Sequence, residues 1–414
     1  MNESPSKADM CWPSAAQEKL LRACFLSGPA AVREWESWRS DVSLDRLDEF
    51  SLRLLPILIR ARRENPVEGA VAELATRIHL AQWQQNRQRI ALAASIQSTL
   101  SSAGIRCVFL KGMALLTRYC GDTGLRAMGD VDFLVQKHDV VNAIEALTRA
   151  GWIAEENLAP GEIPSQVRVR HAWQFNRGPE ESCDLHWHPL VRCYAPQVAA
   201  AFWSGAEPVE FGGLRALVPC ATDQLLHACV HGLQWSWTPQ TRWVSDAMTI
   251  ITSRAPIDWR RLSELAAAAS MTIRVHAALS YLHDRMEAPV PENVIREFGR
   301  RQTAGSPSLD IKHTAVSPSS SIPSANNIDV WEEREYALLQ KPCPLGAVDS
   351  LSWHVTNFRR IRPYDERWRN KPAGLAFFEY LRAFLRAGST GGLVASFWHA
   401  LRSRATRNGK RINQ

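Results

Sequence analysis

Three aspartates in apolar, strand-like surroundings are the residues of this sequence best suited to chemistry. Asp130 and Asp132 stand two positions apart in GDVDFLV, and Asp184 stands in SCDLHW. Side chains of a strand alternate between its faces, so Asp130 and Asp132 are predicted to share one face. Burying carboxylates is costly and neighbouring carboxylates repel each other, so the pattern predicts a cation. Such oxygen ligands suit Mg²⁺, which is normally bound by one or two carboxylates together with substrate phosphates.

The segment that precedes the aspartates is suited to bind phosphate. FLKGMALL indicates a strand that ends at Leu110 and a helix that begins near Gly112, where glycine would allow a tight turn. The free N–H groups and the helix dipole favour an anion there, and Lys111 would add a cation. A glycine turn, a pair of aspartates and a third strand aspartate are, in this order, the parts of a two-metal phosphoryl or nucleotidyl transfer.

These segments resemble the uncharacterised nucleotidyltransferase family of the polymerase-beta-like superfamily. The resemblance is carried by LKG, RAMGDVDFLV and CDLHW, and it extends over about residues 15–300. It implies a small mixed sheet with a glycine-turn helix, and a catalytic metal triad of aspartates. Asp130 and Asp132 match the first two metal ligands, and Asp184 matches the third. Two Mg²⁺ ions are therefore the expected cofactors, with Mn²⁺ as an alternative.

By the same resemblance, Gly112 matches the first glycine of the phosphate turn. The superfamily usually has glycine or serine at the next position, whereas Met113 stands there in this sequence. A hydroxyl contact to phosphate is therefore absent, and we expect Lys111 or Arg126 to contact the phosphates instead. The predicted nucleotide-binding residues are thus Lys111, Gly112 and Arg126.

Two pairs of histidines have spacings that also occur in zinc sites. His227 and His231 are four positions apart in a predicted helix, and His186 and His188 share one face of a predicted strand. No HExxH motif is present, and nothing in the sequence brings the two pairs together. Histidines packed between helix and sheet are the favoured interpretation. The family resemblance implies that His186 and His231 are framework or site-lining residues.

Arg242 and Asp246 stand four positions apart in TRWVSDAM, which is predicted to be helical. This spacing favours an ion pair on the helix surface. A contact between Arg242 and the substrate is the alternative.

Composition limits the remaining possibilities. The nine cysteines are scattered without a CxxC motif, which favours reduced thiols. No signal-like N-terminus and no long uncharged run is present, so a cytoplasmic protein without a transmembrane segment is expected. The net charge is +7, and residues 351–414 contain 13 Lys and Arg against three Asp and Glu. A basic segment favours a polyanion such as RNA, although a solubilising tail or a face that packs on the rest of the protein would have the same composition.

The pattern of apolar residues predicts an α+β fold in which helices flank a small mixed sheet. In GLAFFEYLRAFLRAG the favoured interpretation is a helix docked on the protein itself, and the alternative is a helix on a membrane surface. The expected regions are an N-terminal helical region (1–103), a catalytic core (104–218), a helical region that completes the cleft (219–300), a Ser/Pro-rich linker (301–328) and a basic helical C-terminal region (329–414).

The sequence therefore predicts a Mg²⁺-dependent nucleotidyltransferase that moves an NMP group from an NTP such as ATP to an acceptor. The acceptor is left open among a protein or peptide, a small molecule and tRNA, and the oligomeric state is also open. The alternative is a non-catalytic protein that keeps the fold and binds a nucleotide or a partner.

Overall fold

The computed structural model describes residues 11–156, 160–233 and 241–302, and in the C-terminal region residues 355, 358, 361–364 and 366–384. The described chain begins with helices, as predicted. Ser14 and Gln17 form a capping box at the first helix, and the Asp48 side chain accepts a hydrogen bond from the Ser51 N–H at the third. The four helices are α1 (Ala15–Phe25), α2 (Gly28–Asp41), α3 (Glu49–Ala61) and α4 (Ala70–Ser102).

A small mixed sheet follows the four helices. Its strands are β1 (Val108–Phe109), β2 (Val131–Leu134), β3 (Ile153–Ala154), β4 (Ala172–Arg177) and β5 (Glu181–His186), in the spatial order β1-β2-β5-β4-β3. β2 and β5 are parallel, and the other neighbouring pairs are antiparallel. The helices between these strands are α5 (Lys111–Tyr119), α6 (Val140–Arg149) and α7 (Ile163–Val169). The predicted α+β class with a small mixed sheet is confirmed.

One strand prediction is wrong in part. The alternating character of QVRVRHAWQF predicts one strand-like segment, but its first four residues belong to α7 and the strand begins at Ala172. The Trp187 indole donates a hydrogen bond to the Val167 carbonyl at 2.9 Å, and Val169 is buried in a cluster with C-terminal residues. These tertiary contacts favour the helix, and the local alternation of apolar and charged residues does not reveal them.

A hairpin and six helices complete the described part that surrounds the sheet. Gly212 and Gly213 have φ angles of 57° and 83°, which allow the two-residue turn of the hairpin. The elements are α8 (Pro196–Ser204), β6 (Ala206–Phe211), β7 (Leu214–Pro219), α9 (Ala221–Gly232), α10 (Arg242–Thr252), α11 (Trp259–Ala268), α12 (Thr272–Met286) and α13 (Glu292–Gln302). The apolar run LRALVP, residues 214–219, predicts a short strand, and the structure confirms it as β7.

Two buried clusters hold these elements together. Val131 and Phe133 of β2 are fully buried in the sheet cluster with residues of α4 and α6, and burying each side chain contributes about 1.5–3 kcal/mol. The second cluster joins the N-terminal helices to α9–α13. Because the apolar face of β2 is committed to the core, its aspartate face is left for the site.

The described C-terminal residues form a third, smaller cluster. Tyr380 and Ala376 of a helix over Ala373–Phe384 are fully buried together with Val169 and Tyr194. This helix is therefore docked on the protein itself, as the sequence favoured; a short helix, Glu366–Arg369, precedes it. Residues 303–328 of the predicted linker, and most of the predicted region 329–414, lie outside the described residues. Among the described residues, no helix is long and apolar enough to cross a membrane.

Candidate active site

Two parallel strands position the carboxylates of the candidate active site. Asp132 of β2 stands directly opposite Asp184 of β5 in the strand register. The Leu110 N–H donates a hydrogen bond to the Asp132 carbonyl at 2.9 Å, which fixes the start of α5 beside this strand. Because directly opposed residues of neighbouring strands project to the same face of a sheet, the register brings the two carboxylates together.

The carboxylates of Asp132 and Asp184 form a cluster with the imidazole of His186. One ligand atom from each residue lies within 4.8 Å of the others, and His186 Nε2 is 3.1 Å from Asp132 Oδ1. The Lys111 ammonium donates a hydrogen bond to the same oxygen and is 3.4 Å from His186 Nε2. Asp184 Oδ1 is buried and has no hydrogen-bond partner. An unpaired carboxylate oxygen among converging donor atoms fits a divalent cation.

Asp130 occupies a different position from the other two predicted aspartates. It lies one residue before β2, and it is outside the group of donor atoms that lie within 4.8 Å of one another. Burial, and next the neighbouring Asp132 carboxylate, raise the pKa of Asp130 to about 6. Of the three predicted metal ligands, the structure thus brings Asp132 and Asp184 into one cluster, and Asp130 stands beside them.

His186 is a member of this cluster for which the sequence implied only a framework or site-lining role. The sequence does contain one signal that His186 faces the site: it stands two residues after Asp184 in the same strand, and residues two apart in a strand share a face. His186 is 3% exposed, and its second ring nitrogen, Nδ1, has no hydrogen-bond partner. His186 therefore either holds the Asp132 carboxylate or offers a nitrogen ligand itself.

The charges in the cluster are unequally stabilised. Burial acts to raise the pKa of Asp132, but the Lys111 ammonium and the His186 hydrogen bond outweigh it and hold that pKa well below its ordinary value. Burial, and then the nearby Asp132, raise the pKa of Asp184. Asp132 is thus the stable anion of the pair, and Asp184 is the stronger base.

The turn into α5 differs in detail from its prediction. The left-handed backbone angle is at Lys111, with φ of 43°, and not at Gly112. Gly112 serves a close approach instead, because a Cβ atom there would lie 2.8 Å from Arg126 Nη1 and 2.9 Å from Met128 Cγ. A non-glycine residue in this backbone region stores strain, which the contact of Lys111 with Asp132 offsets.

Arg126 and Arg242 lie together beside the turn. Arg126 binds both carboxylate oxygens of Asp246, from Nε at 2.8 Å and from Nη2 at 2.9 Å. Asp246 is thus the partner of Arg126 and not of Arg242, contrary to the expected helix-surface pair. Arg242 has no side-chain hydrogen bond or ion pair with the described residues; burial, and next Arg126, lower its pKa below the ordinary value. An arginine that lies beside another arginine and has no hydrogen-bonded counter-ion among the described residues is suited to bind an anion.

These arginines line a cleft, which we call the basic cleft, together with Lys111, His227 and His231. The rings of His227 and His231 stack with centroids 5.7 Å apart. Burial, and then the Lys111 charge, lower the pKa of His227 to about 3, so this ring is neutral. Within the described part of the chain, neither of these histidines joins a group of three metal-donor residues. The zinc alternative receives no support there.

A family model named "uncharacterised nucleotidyltransferase" matches residues 51–287. The chain belongs to this family. The matched residues include Lys111, the three aspartates, His186 and the arginines of the basic cleft. The match confirms the predicted family and the predicted enzyme class, nucleotidyltransferase.

The other comparisons are weaker. One similar solved structure is that of the antibiotic-resistance factor ANT(2'')-Ia, which is 14% identical, with 48% of this chain and 97% of that chain covered and a TM-score of 0.32. A TM-score this low does not establish a shared fold. No curated protein matches the chain.

Proposed function

We propose that this protein transfers a nucleoside monophosphate from an NTP to a hydroxyl group of an acceptor, with Mg²⁺ or Mn²⁺ as cofactor. The observation that carries the proposal is the pairing of Asp132 with Asp184 across two parallel strands, where Asp184 Oδ1 is buried without a partner. The family assignment supports the reaction class.

The residues of the cluster fit a divalent cation. Asp132 and Asp184 would supply the oxygen ligands that Mg²⁺ prefers, and His186 offers a nitrogen that Mn²⁺ also accepts. We propose Asp130 as the further carboxylate for a second ion. Metal ions of this kind, when bound, stabilise the charge that develops on the phosphoryl oxygens.

Each side chain has a distinct task in the proposed reaction. Asp184, the carboxylate with an unpaired oxygen, accepts the proton of the acceptor hydroxyl. The hydroxyl oxygen forms a bond to the α-phosphorus, the bond from this phosphorus to the bridging oxygen breaks, and pyrophosphate leaves with the electron pair. Lys111, Arg242 and the first N–H groups of α5 bind the triphosphate, and Arg126 is held beside them by Asp246. Gly112 keeps the backbone free of a side chain at this point.

We further propose that residues 104–218 form a polymerase-beta-like catalytic core with its phosphate turn at Lys111–Gly112. The regions 1–103 and 219–300 would build the cleft for the acceptor, with 301–328 as a linker to the basic region 329–414. The acceptor is a protein or peptide, a small molecule or RNA. The eight cysteines of the described residues are free thiols, which supports action in the cytoplasm.

The test is a transfer of label. The full-length protein is incubated with each α-³²P-labelled NTP, MgCl₂ and a fractionated cell extract, and the label is followed into the protein, RNA and small-molecule fractions. One fraction is expected to carry the label. Asp132→Asn and Asp184→Asn should reduce the rate by about 10²-fold or more, whereas the exposed Asp284→Asn serves as the matched control. Transfer at the wild-type rate by both site variants would rule out the assigned carboxylates.

Arg242 has a separate expected effect. Since it has no partner among the described residues, Arg242→Gln should leave the melting temperature unchanged and raise KM for the NTP about tenfold, as expected for loss of one charged hydrogen bond. An unchanged KM would remove Arg242 from the triphosphate site.

A further inference from the structure

A second cavity lies beyond the ends of the two parallel strands that carry the cluster. Its volume is about 560 Å³, which is in the range of small-molecule sites. Val135–Lys137, which follow β2, and Trp187–His188, which follow β5, line one side, and residues of α8 and Ile361 line the other. None of the residues of the basic cleft lines this cavity.

The described charged residues that line this cavity are all basic. Arg106, Lys137 and Arg168 line it, and none of the described residues that line it is acidic. The cations accompany aromatic surfaces: the Arg106 guanidinium lies over the Trp203 ring, 5.9 Å from its centroid, and the Tyr194 ring is part of the wall. Cationic groups beside aromatic rings favour an anion that has a flat apolar body.

His188 provides an independent sign of a ligand. Its side chain is 3% exposed, yet neither Nδ1 nor Nε2 has a hydrogen-bond partner. The ring lies against Tyr194, with centroids 5.1 Å apart, and lines the cavity. Buried polar atoms in folded proteins are nearly always paired, because an unpaired one costs free energy. Both nitrogens are buried behind the surface of the cavity, so the ring carries a donor and an acceptor that a bound molecule would pair once the ring turns towards it.

We propose that this cavity binds a small organic anion that carries an aromatic or heteroaromatic ring. The carboxylate or phosphate of the ligand meets the cations of the rim and accepts a hydrogen bond from His188, and the ring of the ligand contacts the aromatic wall. The site is separate from the proposed nucleotide site, and its existence does not depend on nucleotidyl transfer.

The test uses phenyl phosphate as the probe and isothermal titration calorimetry of the full-length protein, without nucleotide or metal. Binding of one equivalent is expected, and neutral benzyl alcohol should bind at least about tenfold more weakly because the charged contact is missing. Ala200→Trp, at an exposed position of the lining, should abolish binding by filling the cavity. Arg106→Gln should weaken binding about tenfold.

His188→Phe separates a ligand contact from a structural role. This variant should weaken phenyl phosphate binding about tenfold and yet raise the melting temperature, because it removes two buried polar atoms without partners. Arg242→Gln in the basic cleft and Arg215→Gln, an arginine whose side chain is 83% exposed, are the controls and should bind the probe as the wild type does. The proposal would be overturned if the wild type did not bind phenyl phosphate, or if His188→Phe and Ala200→Trp bound it as tightly as the wild type does. It would also be overturned if Arg242→Gln lost as much affinity as these two variants.

Discussion

Replacing Lys111 by methionine should destabilise the metal-free protein and make its stability depend more strongly on Mg²⁺. The Lys111 ammonium is ion-paired with Asp132, whose side chain is only 3% exposed, while the lysine side chain is 21% exposed. Methionine keeps much of the length and apolar character of the lysine side chain but removes the charge. The buried Asp132 carboxylate would then keep only its contact with His186 at 3.1 Å.

The expected cost follows from the burial of this pair. Removing one partner of a buried ion pair typically costs about 3–5 kcal/mol. Since His186 still contacts the carboxylate, we expect the lower end, about 3 kcal/mol, which for a chain of this length corresponds to a decrease of roughly 3–5 °C in melting temperature. The folded-state pKa of Asp132 is lowered, so the pair stabilises the protein above the unfolded-state pKa of about 4, and this stabilisation is lost as the pH falls below it.

The assay is thermal unfolding of both proteins at pH 7.5, with chelator and with increasing MgCl₂. At pH 7.5 Mg²⁺ should raise the melting temperature of Lys111→Met more than that of the wild type, because the cation replaces the missing ammonium beside Asp132. The matched control is Lys19→Met, which removes a half-buried lysine paired with the exposed Asp41 and should melt as the wild type does. If Lys111→Met melts as the wild type does in chelator, or if Mg²⁺ shifts both proteins equally, the reasoning about the shared cation position is wrong.

Three other substitutions test different parts of the structure. Asp130→Asn should stabilise the metal-free protein by about 1–3 kcal/mol at pH 7.5, because the pKa of Asp130, raised to about 6, means that the charged carboxylate is disfavoured in the fold. Urea unfolding should show that this difference in stability vanishes below about pH 4. Gly112→Ala should cost about 1–3 kcal/mol, since its Cβ would meet Arg126 Nη1 at 2.8 Å. Tyr380→Ala should release the C-terminal helix, measured as faster tryptic cleavage in that region, because this fully buried ring contacts Phe358 and Trp368.

Each of these tests has its own control. A stability difference for Asp130→Asn that persists at pH 3.5 would contradict the assigned cause, since the Asp130 carboxyl group is then largely protonated in both the folded and the unfolded state. Gly299→Ala is the helix control for Gly112→Ala, because its nearest contact would be an ordinary 3.6 Å, and it should be neutral or stabilising. Equal cleavage of wild type and Tyr380→Ala would show that the docking of the C-terminal helix does not protect this region.

Local patterns in the sequence were sufficient to predict much of the fold and part of the candidate site. The alternation around Asp132 and Asp184 predicted strands whose apolar residues face a core, and Val131 and Phe133 are indeed fully buried. The two-residue period of a strand also placed His186 on the face of Asp184, although its entry into the cluster was not predicted. Such features depend on neighbours within a few residues, and these are visible in a sequence. The roles of these residues in binding and catalysis remain predictions.

Only the tertiary structure decided which distant side chains meet. Asp246 was expected to pair with Arg242, four residues before it, but the fold brings Arg126 to it across 120 positions of sequence and leaves Arg242 without a partner among the described residues. The register of β2 against β5 similarly placed Asp132 opposite Asp184. Sequence spacing determines the face on which a residue lies, whereas pairing over long distances depends on how whole elements pack, and packing is a property of the complete fold.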